Sequence, residues 1–283
     1  MNNDTKKNLT GFFLFVLIAA VVSAGARCAM TLLYLDESYG VYKAGIIFPT
    51  LTHILTFVLC AAAAVIGLLL SKDLPCPVMP EPGSGVVFAS SVTAFLIAAS
   101  SLYTVYNIIT GVLTAEKLTI MKLIVSVPAI IFFLALMRPQ TKKSPVFAFM
   151  SFFPTVWFAI AIVEVYFDRT LLITSPAKTF RQLAILSIML FLLNESRAII
   201  GRQNGILYLV TSGVAPIIVI TSSLPALIFS KKLMIGQSDD FLCYAIELAA
   251  AVFILARGFS FAKFPSTLPK PEKKPKEDKK SKN

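Results

Sequence analysis

The sequence contains a single histidine, His53, among its 283 residues. Ligation of a metal or haem by several histidines is therefore excluded. The phosphate loop Gly-x-x-x-x-Gly-Lys, the zinc helix His-Glu-x-x-His and the nucleophile turn Gly-x-Ser-x-Gly are also missing from the sequence. We expect no cofactor and no bound metal. No pattern nominates an enzyme, although carboxylates within a membrane leave acid–base chemistry open.

Charged residues and cysteines are also scarce. Only 14% of the residues are charged, against roughly a quarter in a soluble domain. The four cysteines lie in or beside apolar stretches, at spacings that match neither a zinc site nor a disulfide framework. Hydrophobic residues make up 57% of the chain, and the mean hydropathy is +0.79. This composition predicts that lipid, not water, surrounds most of the chain.

Eight long apolar blocks dominate the sequence. A hydrocarbon core of about 30 Å needs roughly 20 apolar residues in a helix. In lipid the backbone must satisfy its own hydrogen bonds, so blocks of this length are helices. The sequence predicts an all-α transmembrane bundle over residues 11–262, with spans at 11–35, 44–70, 86–109, 118–137, 146–167, 180–200, 206–229 and 241–261.

The first block has an alternative interpretation. Lys6 and Lys7, an apolar run and the small residues 24–26 together resemble a cleavable signal peptide. The apolar run resumes and continues to Leu35, which favours an uncleaved span. Cleavage would leave seven spans.

The formal net charge of +11 comes from basic residues at the ends of apolar blocks and in the final segment. This distribution predicts contact with anionic lipid headgroups, and no nucleic-acid partner is expected. Residues 263–283 are rich in lysine and proline and predict a disordered cytoplasmic tail. Residues 1–10 form a short cytoplasmic tail in the same scheme. The excess of lysine and arginine places both termini in the cytoplasm, in a plasma-type membrane.

Four prolines fall inside predicted spans: Pro128, Pro154, Pro216 and Pro225. Each removes a backbone donor, and a kink that serves helix packing is the ordinary outcome. Pro216 and Pro225 share one span with Gly213. That span is therefore the best candidate for a broken helix, which transporters use at binding sites.

Ionisable side chains within spans are costly, and each requires a partner or a water-filled cavity. Helix rise places Arg27 and Glu247 at a similar depth, about 10 Å below the outer surface, with His53 in the same layer. We expect Arg27 and Glu247 to form a pair. Asn107 and Glu164 lie nearer the outer mouth.

Two further sets of charged residues also require neutralising partners. Glu195 and Arg257 lie at a similar depth near the inner surface, and they predict a structural pair. In the outer connection, Asp168 follows Glu164 by one helical turn and can neutralise the cations Lys178 and Arg181. Alternatively, an anionic headgroup of a substrate neutralises those two cations.

Two functions remain open. The first is transport of a small solute or ion through a polar cavity lined by Arg27, His53, Asn107, Glu164, Asp168 and Glu247. The second is a membrane sensor, assembly or scaffold protein whose charges only clamp helices together. A wet cavity around Glu247 would favour transport, and a dry, fully paired bundle would favour the second function.

Overall fold

A computed structural model describes residues 3–36, 41–43, 45–71, 77–78, 82–114, 116–138, 145–168, 175–202, 204–230, 238–263 and 266–267. Eight of its helical segments are long and apolar enough to cross a membrane. The predicted all-α bundle with eight spans is confirmed. The tail predicted at 263–283 lies almost wholly outside the described residues, whereas the residues described before position 11 already belong to the first helix.

The helices follow the apolar blocks closely. They are α1 (Asn3–Tyr34), α2 (Phe48–Ser71), α3 (Ser84–Ile109), α4 (Lys117–Ala135), α5 (Pro145–Met150), α6 (Phe152–Phe167), α7 (Pro176–Ile200), α8 (Gly205–Ile228) and α9 (Ser238–Lys263). Two antiparallel pairings of two residues each, Leu35–Asp36 with Val41–Tyr42 and Pro77–Val78 with Ser266–Thr267, complete the regular structure described.

The spans alternate in direction, so the bundle has two distinct faces. The proximal face carries Asn3 and Lys263, together with the connections after α2, α4 and α7. The distal face carries the connections after α1, α3, α6 and α8. Large apolar side chains such as Phe88, Phe95 and Leu102 of α3 are about 70% exposed on the outside of the bundle. Lipid is the solvent that suits such a surface.

Helix α8 lies at the centre and packs against α1, α2, α7 and α9. Small residues allow this close approach. Phe12 and Phe13 of α1 are buried over Gly213 of α8 and Gly258 of α9, where a Cβ atom would collide with their rings. Helix α1 is therefore an integral part of the core.

The structure interrupts a different span from the one that the prolines predicted. Helix α8 is continuous from Gly205 to Ile228 and contains both Pro216 and Pro225, so the expected broken helix is wrong. The fifth span is the one interrupted, at Ser151 between α5 and α6. Pro154 has no N–H for the carbonyl of Met150, which explains the interruption there. In α8, close packing on four neighbouring helices keeps the axis intact despite the missing donors.

Candidate functional site

Four charged side chains form two ion pairs in the distal part of the bundle. Nζ of Lys122 in α4 lies 2.5 Å from Oε2 of Glu164 in α6. Nε of Arg181 in α7 lies 3.2 Å from Oε1 of Glu247 in α9. The second pair is the more deeply buried, with side chains 6% and 3% exposed. We call these four residues the distal charge cluster.

Cys243 and two aromatic rings join the pairs into one electrostatic unit. The sulfur of Cys243 lies 3.9 Å from Nζ of Lys122, and its thiol is within electrostatic reach of all four charges. Lys122 stands over the ring of Trp157, 5.1 Å from its centroid. The guanidinium of Arg181 lies 4.3 Å from the ring centroid of Tyr244. Such cation–π contacts add about 0.5–2 kcal/mol each.

Arg27 occupies the same layer but has a different kind of partner. Its Nη1 donates to the carbonyl of Thr221 at 3.1 Å. That carbonyl would accept an N–H from residue 225 in an uninterrupted helix, and proline supplies none. Arg27 therefore satisfies the acceptor that Pro225 leaves free in α8. It also donates to the carbonyl of Pro176 at 3.5 Å and stacks 4.1 Å from the centroid of Phe180.

The expected pair of Arg27 with Glu247 does not form. Glu247 binds Arg181 instead, because α7 approaches α9 at this depth while Arg27 of α1 turns towards α8 and the start of α7. His53 lies close to Arg27, as its depth suggested, since its ring centroid is 4.9 Å from that of Phe180. The structure thus places Arg27 near His53 and pairs Glu247 with Arg181.

The polar residues nearest the distal face have structural contacts. The backbone carbonyl of the buried Asn107 accepts hydrogen bonds from the backbone N–H groups of Val112 and Leu113 where α3 ends. The carbonyl of Asp168 accepts a hydrogen bond from Nζ of Lys178 at 2.6 Å. Lys178 therefore contacts Asp168, as expected, but through the backbone oxygen of that residue. Both contacts satisfy backbone carbonyls at the ends of helices, which is a structural role.

The proximal pair forms at the expected place. Nη2 of Arg257 lies 2.6 Å from Oε1 of Glu195, and both side chains are buried. The hydroxyl of the buried Tyr208 has no hydrogen-bond partner within the described ranges, and it lies within electrostatic reach of both charges. Asn194 donates to Thr211 at 3.2 Å on the adjoining turn. This arrangement joins α7 to α9, with α8 beside it.

Two cations of the distal charge cluster were not predicted as site residues. Lys122 and Arg181 each lie within the first two turns of a helix, where lysine and arginine are common near the membrane interface. Each lies about 7.5 Å along its helix from the start that the structure shows, as His53 does in α2, but the sequence alone does not give those helix starts. The start of α7 at Pro176, four residues before the predicted span, moves Arg181 inward.

Two recesses in the distal part of the bundle are very small. A recess beside Arg27 and another beside Lys122 each have about 10 Å³ of open interior, which is room for about one water molecule. A larger groove of about 480 Å³ runs between α6 and α7. Its lining is mostly apolar and includes the exposed Tyr166 and Phe167, which suits lipid chains better than a polar solute.

The arrangement can hold charge in a low-dielectric interior and can bind small polar species at the two recesses. The chain is therefore an integral, multi-pass membrane protein built as a helical bundle. Comparisons with protein-family models, curated proteins and solved structures find no match for it.

Proposed function

We propose that this protein is a carrier for a small solute, and that the bundle described above is its closed state. The observation that supports this proposal is the side-by-side placement of two ion pairs in the distal charge cluster. A single buried pair is adequately explained as a clamp between two helices. Two neighbouring ion pairs differ from a single pair because their cations and carboxylates can also pair in a second combination.

In the closed state the pairs hold α4 to α6 and α7 to α9. An exchange of partners would join Lys122 to Glu247 and Arg181 to Glu164, and so would link α4 to α9 and α6 to α7. Both arrangements neutralise every charge, so neither carries the cost of an isolated ion in lipid. Discrete alternative sets of interface salt bridges are a recurring basis of conformational switching. A carrier needs such a two-state element.

A second function, that of a sensor, assembly or scaffold protein, is supported by the same interior. Its recesses hold about one water each, and the cluster charges are already paired. Under this alternative the ion pairs are permanent clamps, and no solute crosses.

We also propose a plasma-type membrane with the proximal face towards the cytoplasm. The many lysines between positions 263 and 283 support this orientation, since basic residues are enriched on the cytoplasmic side. Anionic headgroups of the inner leaflet are the partner that such a segment suits. The distal charge cluster then faces the outer half of the membrane.

Transport is tested with purified protein in liposomes, by following osmotic swelling in chloride, nitrate, acetate, glycine and sorbitol. We expect at least one solute to enter faster than in protein-free liposomes. Glu247→Gln removes the carboxylate that Nε of Arg181 contacts in the distal charge cluster and should reduce that rate about tenfold or more. Glu116→Gln, at the exposed residue just before α4 on the same face, is the matched control and should leave the rate unchanged. Equal entry with and without protein for every solute would contradict the proposal.

A further inference from the structure

The recess beside Arg27 is a small space at the distal end of the bundle whose walls are partly polar and partly apolar. Its polar lining comes from Arg27, Thr31, Tyr42, Ser222 and Tyr244. These side chains belong to α1, α8, α9 and the connection between α1 and α2. A site built from several elements changes shape when those elements move.

The charge of Arg27 is not neutralised within the described ranges. Its contacts there are the carbonyls of Thr221 and Pro176, the ring of Phe180 and the side chain of Tyr42. None of these contacts is a carboxylate. A guanidinium has five N–H donors, and those partners accept only some of them. A buried cation with spare donors favours an anion in the adjoining space.

The start of α7 adds to the positive potential of this recess. Pro176 and Ala177, the first two residues of α7, form part of the wall. The first turn of α7 contains no acidic residue, and Ser175 makes no capping hydrogen bond through its side chain. The hydroxyl of Ser175 is buried and has no partner among the residues described. A helix start without a cap leaves N–H groups and the positive end of the helix dipole for an anion.

We infer that the Arg27 recess binds one small inorganic anion of halide size. An open interior of about 10 Å³ admits a particle close to a water molecule in size. Chloride is only slightly larger than water, whereas an organic acid would require the recess to open. This inference deepens the proposed function by naming its substrate class, and in that respect it rests on the proposed function.

The first test measures binding alone. The full-length protein in detergent is exchanged from sodium chloride into sodium gluconate at constant sodium concentration, and thermal unfolding is followed by circular dichroism. Chloride should raise the midpoint of unfolding with a saturable dependence, because it binds the folded state only. Bromide should act in the same way. Identical midpoints across the chloride titration would overturn the inference.

Two variants locate the effect. Ala226→Val fills the recess without touching the charge, since Ala226 is buried in its wall. Arg27→Lys keeps the charge but loses the fork of donors. Each should weaken the apparent affinity for chloride about tenfold or more. Ile228→Val, a lipid-exposed change two residues away, is the control and should leave the affinity unchanged. Unchanged chloride dependence in folded Ala226→Val would place the ion elsewhere and refute the site.

Binding and flux separate this inference from the proposed function. Stabilisation by chloride that is lost in Ala226→Val, without protein-dependent entry of any of the five solutes into liposomes, would support the anion site and contradict transport. Solute flux in a protein whose stability ignores chloride would support transport and overturn the anion site.

Discussion

Replacing Glu195 by glutamine is expected to lower the free energy of unfolding by about 3–5 kcal/mol. The substitution keeps the shape of the side chain but removes the negative charge beside Arg257, whose Nη2 lies 2.6 Å from Oε1 of Glu195. Both side chains are about 1% exposed, so water cannot replace the lost partner. The measurement is chemical unfolding in mixed micelles, followed by circular dichroism.

A double substitution distinguishes the pair from a simple loss of packing. Glu195→Met together with Arg257→Met removes both charges, and it should recover most of the stability that either change alone removes. Arg197→Met, on the exposed side of α7 two residues from Glu195, is the control and should cost little. If the double substitution lowered the free energy of unfolding by the sum of the two single losses, the two charges would not depend on each other.

Gly258→Ala is expected to destabilise the bundle by about 1–3 kcal/mol, because the new methyl group would overlap a buried ring. Its Cβ would lie 2.6 Å from Cζ of Phe13, a distance that real contacts do not reach. Gly213→Ala should act similarly, with its Cβ 2.7 Å from Cζ of Phe12. The same unfolding measurement applies to both.

Gly25 provides a control of opposite sign within α1. Apart from its chain neighbours and the nearby backbone of α1, no atom lies within 4 Å of the position that its Cβ would take. Gly25→Ala should therefore be neutral or stabilising by up to about 1 kcal/mol, the usual gain in helix propensity. Adding Phe13→Leu to Gly258→Ala makes room for the methyl group and should restore part of the stability. Equal effects at Gly25 and Gly258 would show that α1 does not pack as described.

The fold was predictable because lipid makes each span a long apolar block. Helix rise converts position within a block into depth, and this was sufficient to bring Glu195 and Arg257 together and to group Arg27 with His53. Depth contains no information about direction around the helix axis. The choice of Arg181 over Arg27 as the partner of Glu247 depends on that direction.

The role of Arg27 shows what the sequence conceals. Pro225 predicts a free carbonyl at Thr221, but only the contact between α1 and α8 shows which donor reaches that carbonyl. The continuity of α8 was missed for the same reason, since packing against four neighbouring helices overrides two prolines. Lys122 was missed because an apolar block gives no sharp boundary between interface and interior.

The proposal that the distal charge cluster opens is tested most directly at Cys243, whose sulfur lies 3.9 Å from Nζ of Lys122. In a protein with Cys28, Cys60 and Cys76 changed to alanine, a small cationic thiol reagent that cannot cross membranes is added to sealed liposomes. A switching cluster predicts that Cys243 is labelled from one side only. Labelling should be faster in Glu164→Gln, because one ion pair is lost. A thiol that stays unlabelled in both proteins until detergent unfolds them would contradict it.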